Sequence, residues 1–283
     1  MKDYPLATGL DSEVLVYNAK EITDEASQIA FGSEWAKAFS SGPGVICIKN
    51  AFSPNKVDAV TSAFEAIITR EKAEGKGEGD HFAKAGANSR IWNALEKLAI
   101  ENPRAFVEYY ANPILALASQ CWLGPGYQLT SQVNVVRPGG EAQSAHRDYH
   151  IGFMTDEKAE KFPAHVHTQL SPMLTLQGAV AHCDMPIESG PTIYLPHSHK
   201  YGPGYLAWRK PEFKEYFETH KVQIGLQKGD AVFLNPALFH AAGSNVSKEI
   251  QRVANLLQVS SAMGRAMETV DRTRVVLAVY SEL

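Results

Sequence analysis

The chain has 283 residues, 45% of them hydrophobic, and sets 27 Lys and Arg against 31 Asp and Glu for a net charge of −4. That balance lacks the basic excess of a nucleic-acid binder, and the apolar content suffices for a full core without disulfide staples. Cys47, Cys121 and Cys183 are odd in number and show no C-x-x-C spacing, which argues against a disulfide framework or zinc knuckle and makes each a small core residue. The first residues hold no apolar h-region and no apolar run approaches ~18 residues, so no signal peptide, no membrane span and a cytoplasmic location are expected.

Residues 1–22 are weakly patterned. A helix is expected around Glu25 to Phe39, ended by Ser40-Ser41-Gly42-Pro43, and Gly44 to Asn50 reads as a short strand. Ser53-Pro54 opens a helix with Ser at the N-cap and Pro at N1. Val57, Val60, Phe64, Ile67 and Ile68 recur at helical spacing as its core face. It runs out in residues 72–80, glycines among charges, a lid edge or a linker. Two more helices are expected near Ser89–Ile100 and Pro103–Trp122, with Trp92 read as core in preference to a pocket wall.

From Tyr127 the texture alternates: Thr130, Gln132 and Asn134 share one strand face, and Leu129, Val133 and Val135 the other. Such a polar face is either an exposed strand or the wall of a polar cavity. After the turn Pro138-Gly139-Gly140 comes Gln143-Ser-Ala-His146-Arg147-Asp148. Residues two apart on an extended strand point the same way, so His146 and Asp148 could grip one metal with Arg147 turned away. Tyr149 to Pro172 is an insertion over a site or a plain surface excursion. Met173 to Cys183 reads as a central strand, with His182 a hydrogen-bonded core histidine. Strands are also expected at Thr192–Leu195, Val222–Leu226, Asp230–Asn235, Arg252–Ser260 and Arg274–Tyr280, and a helix near Ala207–His220. Helices first and about eight strands after them predict one domain, mainly β with flanking helices. Its core, from about residue 125 onward, would be a double-stranded β-helix, or jelly roll, behind a helix-rich part over 1–124.

His-x-Asp alone is weak. It gains weight from His240, 92 residues after Asp148, and from Arg252, 12 residues further on. Two imidazoles and one carboxylate suit Fe(II) and leave positions for a 2-oxo acid and O2. The far carboxylate of 2-oxoglutarate calls for a planar, bidentate cation, and Arg252, beside Ala254, Leu256 and Gln258, answers that need. His165/His167 and His197/His199 offer H-x-H pairs to a zinc-dependent hydrolase as an alternative. A non-catalytic metal-binding jelly-roll protein is a third reading.

The second half resembles the phytanoyl-CoA dioxygenase (PhyH-like) family of Fe(II)/2-oxoglutarate-dependent oxygenases. The matching pieces are His146-Arg-Asp148, the stretch from Asp184 through Gly190-Pro-Thr192 to His197-Ser-His199-Lys200, then Lys228 to His240, then Arg252. The chain departs from the family pattern at Ser189, where the family has Asn, and at His197, where it has Gly. By resemblance, His146, Asp148 and His240 are metal ligands, Arg252 binds the 2-oxoglutarate carboxylate, and Gln143 and Thr192 fall where some members touch the cosubstrate. The resemblance implies hydroxylation of a small molecule with release of succinate and CO2. Asp148 favours that outcome, since halogenating relatives carry a small residue there. No basic cluster awaits the phosphates of coenzyme A, so a free small molecule is the expected partner, with no nucleic acid and no membrane. Gln132, Asn134, His150, Phe153 and Arg265 are the candidate pocket walls.

Overall fold

The computed structural model describes residues 2–75, 88–148, 150–152 and 154–283. The end of the 72–80 loop and the candidate wall residue Phe153 therefore lie outside the described residues. The strands are β1 (Gly9–Asp11), β2 (Val14–Asn18), β3 (Val45–Lys49), β4 (Asn88–Ile91), β5 (Gln128–Val136), β6 (Thr175–Ala181), β7 (Ile193–Tyr194), β8 (Val222–Gln223), β9 (Ala231–Leu234), β10 (His240–Ala241) and β11 (Arg252–Ser260). Eight form a large sheet in the order β1-β2-β3-β9-β6-β11-β5-β4, and three a small sheet in the order β10-β7-β8. The β2–β3 pair is parallel and the remaining pairs are antiparallel, so the large sheet is mixed.

Five helices of the first half are α1 (Glu25–Ser40), α2 (Pro54–Ala73), α3 (Ala94–Glu101), α4 (Pro103–Tyr110) and α5 (Pro113–Leu123). Asp24 caps α1 through a reciprocal pair of bonds with Ser27, 2.8 and 3.0 Å, which satisfies two donors that the first turn leaves open. Ser53 and Pro54 stand at the N-cap and N1 of α2 as expected, although the serine hydroxyl makes no capping bond. Val57, Val60, Phe64 and Ile67 are buried beneath it. These helices cover one face of the large sheet, where Trp35, Phe39, Phe64 and Tyr109 pack with Val133, Val135, Phe233 and Leu257. A second cluster, with Cys47, Met185, Tyr194, Val232 and Leu238, includes side chains of both sheets.

Several expectations are corrected. The weakly patterned N-terminus is a hairpin, β1–β2, turned at Ser12 and Glu13 with φ of 49° and 66°. Neither is the glycine or asparagine that flags such a turn in a sequence. Part of the expected 89–100 helix is β4, paired with β5, and the helix begins only after Asn93. The expected helix over 103–122 breaks at Pro113, which disfavours helical backbone at Asn112; Asn112 then caps α5 by accepting from Ile114 and Leu115 N–H at 2.8 and 3.0 Å. The expected last strand over 274–280 is a helix, Arg272–Val279, capped by Asp271 on the Arg274 N–H. Its β-branched residues find no sheet edge to pair with, and an N-cap decides the local structure instead.

Alternation holds where it positions the site. On β5, Val133 and Val135 enter the helix-packed core while Gln132 and Asn134 face the opposite side. On β11, Val253, Leu257 and Val259 do the same, leaving Arg252, Ala254, Leu256 and Gln258 on the side of a cavity. Among the described residues no helix is long and apolar enough to cross a membrane.

Candidate metal centre and its cavity

His146 lies outside the named strands, in an isolated antiparallel bridge to His240 on β10. The two residues exchange backbone hydrogen bonds, His146 N–H to His240 O at 3.0 Å and His240 N–H to His146 O at 3.2 Å. A directly paired position puts both side chains on one face, and the ring centroids are 4.7 Å apart. Asp148 follows two residues on, its N–H bonded to Pro236 O at 3.2 Å. Its Oδ1 is 3.6 Å from His146 Nε2 and its Oδ2 3.4 Å from His240 Nε2. Each imidazole donates its Nδ1–H to a carbonyl two residues back, Ser144 O at 2.8 Å and Leu238 O at 2.9 Å. Both Nε2 lone pairs are thereby left for a metal.

This is the one group of three or more His, Cys, Asp and Glu among the described residues whose ligand atoms converge, all within 4.8 Å. Burial pushes the Asp148 carboxyl up, but the two imidazoles and the Gln177 amide outweigh it and hold the group well below the usual carboxylate range. Burial also lowers His146; at His240 the bond to Asp148 overcomes burial and raises it. Gln177, from β6, donates its amide to Asp148 Oδ2. Sequence reasoning missed it, although a lone glutamine inside an apolar strand was the available signal.

The three residues open onto a cavity of about 650 Å³ between the sheets. Arg252, Gln143, Thr192, Gln132 and Asn134 line it with them. Arg252 begins β11 and is 5% exposed. Its guanidinium reaches only Gly243 O, at 3.5 Å, and no carboxylate among the described residues pairs with it. Burial pulls it down to about 10. Gln143 is tied to Ala242, the residue after β10, through its backbone N–H at 3.0 Å and its side-chain oxygen at 3.4 Å.

His150 and Arg265 do not line the cavity. His150 is tied to Ser171 by its backbone and to the Arg265 backbone by its ring, and Arg265 is exposed. Proximity in sequence to Asp148 placed His150 wrongly: its backbone is held to Ser171, and Gly152, not His150, lines the cavity after the ligand segment. Trp92, expected in the core, lines the cavity, with the Arg90 guanidinium 4.6 Å from its ring. Trp208, Arg209 and Lys214 come to the cavity from the segment between β7 and β8, past the His197-Ser-His199-Lys200 motif, at positions that no motif singled out.

Arg147 points away from the metal group, as expected, but into a buried niche. Its Nη2 donates to Ser198 O and, at 3.0 Å, to Tyr201 O, with the guanidinium 4.5 Å from the Phe239 ring and 5.2 Å from that of Tyr205. His182 is the hydrogen-bonded core residue expected, held by Thr61 at 2.8 Å and Tyr109 at 3.0 Å. The competing pairs are engaged elsewhere. His167 bonds Phe162 O, His197 contacts Lys200 and His199 bonds Ser40 O. His197 adopts φ of 67°, the left-handed backbone that the glycine of the family pattern takes without steric cost.

The phytanoyl-CoA dioxygenase (PhyH) family model matches residues 41–253. No curated protein matches. Among solved structures, AviO1 from Streptomyces viridochromogenes Tue57 is 18% identical with a TM-score of 0.58, over 86% of this chain and 100% of that one. SnoK, a non-heme alpha ketoglutarate dependent carbocyclase from nogalamycin biosynthesis, is 21% identical with a TM-score of 0.55, over 80% and 83%. SnoN, an epimerase solved with Fe3+, alpha ketoglutarate and nogalamycin RO, is 18% identical with a TM-score of 0.52, over 84% and 85%. At these identities the neighbours establish a shared fold, and the family match, over most of the length, establishes the rest: the chain belongs to the phytanoyl-CoA dioxygenase family.

Proposed function

We propose that the chain is an Fe(II)- and 2-oxoglutarate-dependent dioxygenase that hydroxylates a small molecule with release of succinate and CO2. The observation that carries this reading is Arg252. A guanidinium buried in a cavity with no carboxylate partner is costly unless an anion arrives to meet it. It shares that cavity with His146, Asp148 and His240, so one ligand can address both.

In this reading the two Nε2 atoms and the Asp148 carboxylate hold Fe(II), for which two imidazoles and one carboxylate are a fitting donor set. Bound iron supplies the activation of O2. The chain supplies the rest. Ser144 O and Leu238 O hold the imidazole tautomers, and Gln177 orients the carboxylate. Arg252 takes the far carboxylate of 2-oxoglutarate in a two-pronged contact, with Gln143 and Thr192 beside it. The two sheets are read as a jelly-roll core of a single catalytic domain, in a cytoplasmic enzyme.

Purification without oxygen, metal analysis and a succinate assay test the proposal together. Stoichiometric iron and iron-dependent conversion of 2-oxoglutarate to succinate are expected. Zinc retained in preference to iron, with no succinate under any condition, would reject it.

A further inference from the structure

The cavity floor has two chemically different ends. At one, Arg252 is followed on the same face by Ala254, which faces Ala181 across the β11–β6 ladder. At the other, Gln258 faces Gln177 on β6, and Gln132 on β5 faces Leu256. Three glutamines thus crowd the end away from the guanidinium, while Asn134, opposite Ala254, lies nearer to it.

Several of these polar atoms are buried and unpaired. Among the described residues, Gln177 Oε1, Gln258 Oε1 and Asn134 Oδ1 find no hydrogen-bond partner, and these side chains are 4%, 8% and 5% exposed. Gln177 cannot exchange its two ends. A carboxylate accepts and does not donate, so the amide nitrogen must face Asp148 and the oxygen is left for something else. Trp208 Nε1 is likewise buried with no partner. All four residues line the same cavity. Buried polar groups in folded proteins are paired, so a set of four left open marks where a ligand's polar groups arrive.

From this we infer that the substrate is a compact ring skeleton bearing several hydroxyl groups, of glycoside or cyclitol type, and not an acyl chain. The inference rests on the oxygenase reading and narrows its substrate. Gln177 offers an acceptor and Trp208 a donor, while the Asn134 and Gln258 amides can present either end. An ammonium group would satisfy only the acceptors, a ketone or ester only the donors, and a hydrocarbon chain none. Hydroxyls donate and accept, so several on one skeleton meet all four. The Trp92 and Trp208 rings and Met267 give the same cavity apolar surface against which ring carbons can lie.

The test uses the full chain with Fe(II) and 2-oxoglutarate against two panels of matched size. One holds methyl and phenyl glycosides and cyclitols; the other holds fatty acids and their thioesters. Succinate release above the substrate-free background is one readout, and the shift in Tm under anaerobic conditions, without turnover, is the second. At least one hydroxylated ring should raise succinate release severalfold and raise Tm. Gln258→Leu and Trp208→Phe should each raise its half-saturating concentration roughly three- to tenfold, the worth of one neutral hydrogen bond. A response to acyl chains alone, no response in either panel, or unchanged constants in both variants would overturn the inference. The substrate-free background separates the two readings. Iron-dependent background succinate without a response to hydroxylated rings rejects only the substrate class; its absence together with absent iron binding rejects the oxygenase itself.

Discussion

Replacing Arg252 by Gln removes a buried cation of the cavity that no carboxylate among the described residues pairs with. A metal alone can chelate the keto-carboxylate end of any 2-oxo acid. Selectivity for 2-oxoglutarate then depends on a cation at a fixed distance from the metal. Hydrogen bonds to charged groups contribute about 1.5–3 kcal/mol, so Arg252→Gln should raise the apparent 2-oxoglutarate constant by roughly one to two orders of magnitude. Arg252→Lys should recover only part of this, because an ammonium cannot form the paired contact. Iron affinity should change little. The unliganded protein adds an independent sign. Burial already holds the guanidinium down to about 10, so the charge opposes folding when no anion is bound. Without 2-oxoglutarate, Arg252→Gln should therefore melt no lower than wild type, while its gain in Tm on adding 2-oxoglutarate should be smaller. The assay is a 2-oxoglutarate titration under saturating iron, read by succinate and by Tm, with exposed Arg265→Gln as control. An unchanged titration in Arg252→Gln with a shift in Arg265→Gln would show the anchor misplaced.

His146→Ala and His240→Ala should each lose stoichiometric iron and turnover, whereas His167→Ala and His199→Ala, bonded elsewhere to Phe162 and Ser40, should keep the metal; metal analysis decides. Gln177→Leu, which removes the amide on Asp148, should weaken iron binding about 10- to 100-fold and leave the fold intact by circular dichroism. His182 is pulled down to about 3 by burial, so between that value and its ordinary 6.5 the unfolded chain binds the extra proton. Stability should thus fall as pH drops through this window, by up to about 1.4 kcal/mol per pH unit from this residue, and a pH series of urea unfolding curves with no slope there would refute the assignment. Gly204 packs against the buried Arg147 guanidinium, leaving no room for a Cβ, so Gly204→Ala should lower Tm by several degrees in a thermal melt.

Much of the site was legible because it is written in short-range order. His146 and Asp148 share a face by strand geometry, and Gln132 and Asn134 alternate with Val133 and Val135 however the strand is paired. Arg252 follows from the same alternation on β11. His197 occupies a left-handed position that the family's glycine had already hinted at. The chain also determined its helices where caps and proline mark them, as at Asp24 and Pro54.

What needed the tertiary structure was every relation across strands. Gln177 meets Asp148, 29 residues earlier, only because β6 lies in the large sheet below the metal group, and no local pattern encodes that pairing. Trp92 turns to the cavity because β4 pairs with β5, and Trp208 and Arg209 reach it from the long segment between β7 and β8. His150, near in sequence, stays out of the lining with its backbone bonded to Ser171, while Gly152 two residues on lines the cavity. The strands β1 and β2 and the final helix escaped for the same reason: a strand exists only where a neighbour offers its edge, and a β-branched run without one takes whatever its capping residue favours. Periodicity reports which way a side chain points relative to its own backbone; which element it then meets is a property of register and packing, and those are set by the whole chain at once.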